Sequence, residues 1–202
     1  MAIDRQKIID DLSKIEVCGD ENGIIDAFNV LVNQLPAKFW NTFADKMTRK
    51  VHPDLLEATE YLLYNAAHEC GYHTGYGIIT SNEWAAVVAP MIENVPEDVL
   101  YGAYAVFTAW GWADAEITEL IPGEKMVVKA TNYYEADIAP ECNSKKMSAY
   151  MIQGVSAGFM ELAYAGEYDQ AGTKVGTYTC KQVKGIECGD PYAEFIVTKA
   201  TR

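Results

Sequence analysis

The sequence predicts an α+β fold: an antiparallel sheet from two hairpins packed against helices, with an all-helical N-terminal portion. Three observations predict it. Apolar residues recur at helical spacing over the first half of the chain. The period drops to two in residues 113–135 and again in 175–198, each time around a cluster of turn residues. Between those two places, residues 146–165 return to the helical period.

The elements follow in order. Ile3, Ile8, Leu12 and Ile15 form a short apolar stripe, which Gly19 and the polar run CGDENG interrupt. A second helix is expected from Gly23 to about Leu35, where Pro36 ends it. A third runs from Ala37 through Phe39, Trp40 and Phe43 to Met47. Pro53 suits the first turn of a long helix carrying Leu56, Leu63, Ala66, Ala67 and Cys70. Gly71, Gly75 and Gly77 leave two options: the helix ends near Gly71, or it continues with poor propensity. Ser81 can cap the next helix, with Trp84 in its first turn. Pro96 opens another, with Glu97 and Asp98 at its positive end, and Gly111 can stop it after Trp110.

The second half changes period. Ala113 to Ile121, the turn PGE, and Lys125 to Glu135 read as a hairpin, with Met126, Val128 and Ala130 on one face. Pro140 to Lys145 reads as a loop. Lys146 to Ala165 reads as a helix with Met147, Met151, Val155, Gly158, Phe159 and Leu162 on a shared face. Val175 to Glu187 and Tyr192 to Thr198 flank the turn residues CGDP as a second hairpin. No linker or repeat divides the chain. Residues 1–202 are therefore read as one domain, with 1–50 as a helical N-terminal extension.

Composition removes several function classes. The net charge is −13 and the basic residues are scattered. A nucleic-acid binder needs clustered Lys and Arg, and an anionic membrane surface would repel this chain. No stretch approaches the ~20 apolar residues that span a bilayer, and the N-terminus has no signal-peptide character. The five cysteines, Cys18, Cys70, Cys142, Cys180 and Cys188, are odd in number and form no CxxC pair. A reduced, cytoplasmic chain is expected.

Phosphate-binding, dinucleotide-binding, zinc-protease and nucleophile-elbow motifs are all missing, so the residues imply no cofactor and no catalytic residue is assigned. The densest polar cluster is His68-Glu69-Cys70-Gly71-Tyr72-His73. His68 and His73 are five apart and share no helix face, so no metal is assigned there. A structural role and contact with a ligand remain open for them, and a metal site too if the helix breaks at Gly71 so that they converge. The aromatic residues Trp84, Trp110, Trp112, Tyr133, Tyr134 and Phe159, with Tyr72 and Tyr76, read either as core or as the walls of a small-molecule pocket. Gly154 and Gly158 share a helix face, which implies close backbone packing against the sheet or room for a ligand. The candidate ligand-binding set is Trp84, Trp110, Trp112, Tyr134, Gly154, Gly158, Phe159, His68, His73 and Tyr76.

The segments WGWADAEITEL, NYYEADI, AYMIQGVSAGFMELAY and KGIECGDPYAEFIV, within residues 85–199, resemble the 4-vinyl-reductase or hydrocarbon-binding domain family. The resemblance implies an α+β domain, often dimeric, used as a sensor of phenols or related aromatics or in vinyl reduction of a tetrapyrrole. Sensor-type members hold zinc with one acidic residue and three cysteines. Glu135 matches the acidic position, but the cysteine positions fall at about Ala149, Gly185 and Ala193, so the zinc site is expected to be missing.

The expected function is binding of a small hydrophobic or aromatic molecule as a cytoplasmic sensor or carrier. The cavity is expected between the Gly154–Gly158 helix and the sheet. Two alternatives stay open. One is an enzyme or accessory subunit, either vinyl-reductase-like or a small hydrolase using Cys70 or His68 and Glu69. The other is a structural or assembly protein. A homodimer built by the N-terminal helices is expected, because residues 1–50 carry much apolar surface.

Overall fold

A computed structural model describes residues 3–138 and 146–201. Its elements are α1 (Arg5–Leu12), β1 (Ile25–Ala27), β2 (Val30–Val32), α2 (Ala37–Lys50), α3 (Leu56–Ile79), α4 (Asn82–Val87), α5 (Glu97–Ala109), β3 (Ala113–Ile121), β4 (Lys125–Tyr133), α6 (Tyr150–Tyr164), β5 (Tyr178–Lys184) and β6 (Ala193–Lys199). The fold is α+β. Two hairpins form a four-stranded antiparallel sheet in the order β3-β4-β6-β5. The sequence expectation of a loop over Pro140–Lys145 lies outside the described residues.

The sheet is joined where β4 pairs with β6, with Val128 opposite Phe195 and Met126 opposite Val197. Met126, Val128, Ala130, Phe195 and Val197 are buried, and these alternate side chains form the face on which helices pack. The core of that face also takes in Tyr104 and Phe107 of α5 and Ile152, Phe159 and Met160 of α6. A second core lies on the other side of α5, where Ile8 and Leu12 of α1, Phe28, Trp84, Val88 and Val106 meet. Helix α5 is thus clamped between two apolar clusters.

Helix α3 does not end at Gly71. It continues to Ile79 because its glycines let α6 approach. A Cβ on Gly71 would stand 2.6 Å from the Val155 Cα, and one on Gly158 would stand 2.6 Å from the His68 carbonyl oxygen. Backbone meets backbone along this seam, and the dispersion and burial gained there offset the ~1 kcal/mol that each helical glycine costs. The close packing expected of Gly154 and Gly158 is therefore against α3, not against the sheet.

One expected element is corrected. Residues Gly23–Leu35 are not a helix; Ile25–Ala27 and Val30–Val32 pair as a short hairpin. Its two turn residues, Phe28 and Asn29, both have positive φ, 54° and 56°. That is the backbone of a type I′ turn, whose twist suits a two-residue hairpin loop. Phe28 is 1% exposed, and its ring meets Trp110 edge-on at 4.5 Å, so burial offsets the left-handed backbone strain. The helices of the N-terminal portion are α1 and α2, with irregular chain on either side of the small hairpin, so this portion is not all-helical. Ser81 caps α4 by accepting from the Trp84 N–H, as the sequence implied. No helix among the described residues is long and apolar enough to cross a membrane.

Candidate functional site

Helix α2 leans over the first half of α3 and over the 3₁₀ turn Tyr134–Ile138 that leaves β4. The space beneath it is a cavity of about 460 Å³. Trp40, Phe43, Leu56, Leu63, Ala67 and Met151 give it apolar walls, and Tyr134 and Tyr150 add two more rings. Asn41, Glu60, Glu135 and Glu187 bring polar atoms to the same space.

Asn41 is the residue that seats α2. It is the helix's one buried side chain among the described residues, and its Nδ2 donates to the Tyr134 carbonyl at 2.6 Å. Its Oδ1 is buried without a partner. A buried acceptor left unpaired costs roughly 1–3 kcal/mol, so this atom is primed for a donor.

Glu135 reaches the N-terminus of α6. Ala149 precedes that helix and offers no capping side chain, so the Glu135 carboxylate accepts from the N–H groups of Met151 at 2.9 Å and Ile152 at 3.3 Å. Burial pushes its carboxyl up to about 8; the two N–H groups pull the other way, and the charge of Glu187 adds to the rise. Glu187 accepts from the Ser148 N–H at 3.0 Å, from Gln182 Nε2 at 2.7 Å and from the Tyr133 hydroxyl. The Tyr133 hydroxyl accepts in turn from the Ile186 N–H at 3.0 Å. Burial raises the phenols of Tyr133, Tyr134 and Tyr150, and each is raised further by a neighbouring carboxylate.

This network stands where the family resemblance would place zinc, and the residues do not fit the metal. Ala149 and Ala193 are fully buried and carry no donor side chain. A Cβ at Gly185 would stand 2.7 Å from Gln182 Nε2 and 2.7 Å from Glu187 Oε2, so those side chains fill the space. Among the described residues no group of three His, Cys, Asp or Glu is placed to hold a metal ion.

Of the ten candidate residues, Tyr134 lines the cavity and the others lie elsewhere. Trp84 is 4% exposed and packs on Gly102; Trp110 sits on Phe28; Trp112 lies between Phe107 and Tyr134. Phe159 meets Tyr104 and Phe107 edge-on in the main core. Gly154 and Gly158 form the α3–α6 seam. His68 and His73 do not converge. His68 turns inward, with Nε2 at 2.8 Å from Glu161 Oε2, while His73 Nδ1 lies 2.9 Å from the Tyr168 hydroxyl. Tyr76 stacks on Tyr168 with ring centres 3.6 Å apart. Cys70, between the two histidines, lines the cavity. Asn41, Leu63 and Met151 were not visible as site residues in the sequence. The one signal was a lone asparagine inside the aromatic run FWNTF.

No sequence family matches the chain, and no curated protein does. Solved structures do. The chain is similar to the phenol-responsive sensory domain of the transcription activator PoxR, crystallised with phenol, at 10% identity and a TM-score of 0.72, over 98% of this chain and 92% of that one. It is similar to a vinyl-4-reductase family protein from Methanocaldococcus jannaschii at 16% identity and a TM-score of 0.50, over 84% and 85% of the two chains. It is also similar to a trafficking protein particle complex subunit 3 from Naegleria fowleri, covalently bound to palmitic acid, at 14% identity and a TM-score of 0.53, over 82% and 93%. At these identities the likeness is one of fold, and it agrees with the resemblance read from the sequence.

Proposed function

We propose that this chain is a cytoplasmic receptor or carrier that holds a small, largely apolar molecule in the cavity beneath α2. The observation that carries the reading is the cavity itself. Its volume of about 460 Å³ falls in the range of ligand sites, and its walls are apolar and aromatic with a few polar groups, Asn41 Oδ1 unpaired among them. The phenol complex of a sensory domain with this fold supports the same reading. Native mass spectrometry against a panel of small aromatic and aliphatic compounds tests it. One-to-one complexes are expected, and they disappear when Leu63→Trp fills the cavity.

Cys70 favours a second reading. Its side chain lines the cavity, and a structure of the same fold carries covalently bound palmitic acid. Attack of the Cys70 thiol on an acyl thioester would form a protein thioester, release the donor's thiol and place the acyl chain in the cavity. Intact mass of the purified protein before and after hydroxylamine tests it, with Cys70→Ser as the control.

The exposed face of α2 favours a homodimer. Ile8, Leu12 and Phe28 are buried within the chain and need no partner. Helix α2 is different: Phe39 is 49% exposed, Trp40 43%, Phe43 45% and Met47 42%. A second copy of α2 would cover that stripe across a twofold axis.

A further inference from the structure

We propose that the cavity beneath α2 selects apolar molecules that carry a cationic amine. This rests on the small-molecule reading above and specifies its ligand.

The polar groups at the site are acceptors short of donors. Asn41 is 5% exposed and lines the cavity, and its Oδ1 has no partner. The orientation of this amide follows from its surroundings. With the amide reversed, Oδ1 would face the Tyr134 carbonyl, acceptor against acceptor, so the unpaired atom is the oxygen.

Four acids line the same space, and two of them, Glu135 and Glu187, stand apart from Asp45 and Glu60. Among the described residues neither forms an ion pair with a Lys, Arg or His. Each is held by neutral donors alone: backbone N–H groups, an amide and a phenol. The two cations on the wall are directed to other acids, Arg49 to Asp45 and Lys146 to Glu60. Burial keeps the Glu135 carboxyl protonated up to about 8 in the empty cavity, and an ammonium beside it supplies the countercharge that lets the group ionise.

An ammonium group supplies what is missing. It carries one positive charge and three N–H donors, enough for Asn41 Oδ1 and a carboxylate oxygen together. The rings of Trp40, Phe43 and Tyr134 offer faces that attract a cation further. The chain's charge of −13 draws cations towards its surface. A hydroxyl of equal size brings one donor and no charge, and a ligand carboxylate would add a like charge. The cavity therefore ranks an amine above an alcohol and an alcohol above an acid.

Calorimetric titration of the full chain with 2-phenylethylamine, 2-phenylethanol and phenylacetate tests the ranking, because the three differ in one terminal group. The amine is expected to bind at least ~10-fold tighter than the alcohol, the margin of a charge-assisted over a neutral hydrogen bond. Phenylacetate is expected to bind weakest. Glu135→Gln is expected to cut the amine's advantage to below about threefold while the alcohol still binds. The wild-type ranking stands as a test on its own if that variant fails to fold. An alcohol that binds as tightly as the amine overturns this inference and leaves the small-molecule reading intact. Silence from all three ligands overturns both.

Discussion

Gly154 lies against Ala67 so closely that a Cβ on the glycine would stand 2.5 Å from the Ala67 Cβ and 2.6 Å from the His68 amide nitrogen. The neighbour is partly backbone, so it cannot swing aside. Gly154→Ala would raise helix propensity by ~1 kcal/mol, but the overpacking at this seam should cost more, typically ~1–3 kcal/mol. The urea midpoint of Gly154→Ala should therefore fall below that of the parent, and Gly158→Ala should behave alike. An unchanged or higher midpoint would mean that α3 and α6 are not in backbone contact.

The buried pair behind that seam should act as a unit. His68 and Glu161 are 2% and 0% exposed, with Nε2 and Oε2 2.8 Å apart but not aligned as a hydrogen bond, and Glu161 Oε1 accepts from the N–H groups of Gly176 at 2.6 Å and Tyr178 at 3.0 Å. Removing one partner leaves a buried polar group uncompensated, so His68→Leu should cost ~1–3 kcal/mol. Glu161→Gln keeps an acceptor for the two N–H groups and should cost less. A double-mutant cycle by urea denaturation should show strong coupling; simple additivity would refute the pairing.

Glu135 gives stability a pH dependence. Its carboxyl ionises near 4.5 in the unfolded chain, and burial holds it protonated up to about 8 in the folded one. Its contribution is complete below about pH 4.5, declines as pH rises and is lost above about pH 8, a change on the order of several kcal/mol. Glu135→Gln removes the titrating group and should flatten the decline between about pH 5 and pH 8. Parallel stability profiles for parent and variant would show that Glu135 does not titrate in this way.

How much of this was legible in the sequence depended on the range of the contacts. The main hairpins were visible because PGE and CGDP punctuate runs of strict alternation. The small hairpin was hidden: GIIDAFNVLV has the apolar content of a helix, and its turn uses Phe28-Asn29 where Asn-Gly would have announced it. The bundle glycines signalled close packing, but not which element they packed against. Of the cavity, Tyr134 was legible and its place beneath α2 was not. Asn41 bonds to Tyr134, 93 residues away, and no local pattern encodes that contact.

The exposed stripe on α2 should govern association. Phe39→Asp combined with Met47→Asp places charge on the exposed stripe at two residues that do not line the cavity. Light scattering should give a dimer for the parent chain and a monomer for the variant. A parent that is monomeric at every concentration would refute the α2 dimer.

The most direct test of the cavity's role is methyl NMR during titration with a small aromatic compound such as 2-phenylethanol. Met151 and Ala67 line the cavity beneath α2, whereas Met126 and Met160 are fully buried in the core between the sheet and its helices. Binding in the cavity should shift the methyl signals of Met151 and Ala67 in a saturable way and leave Met126 and Met160 in place. Shifts confined to Met126 and Met160, or no saturable shift with any compound of a broad panel, would contradict it.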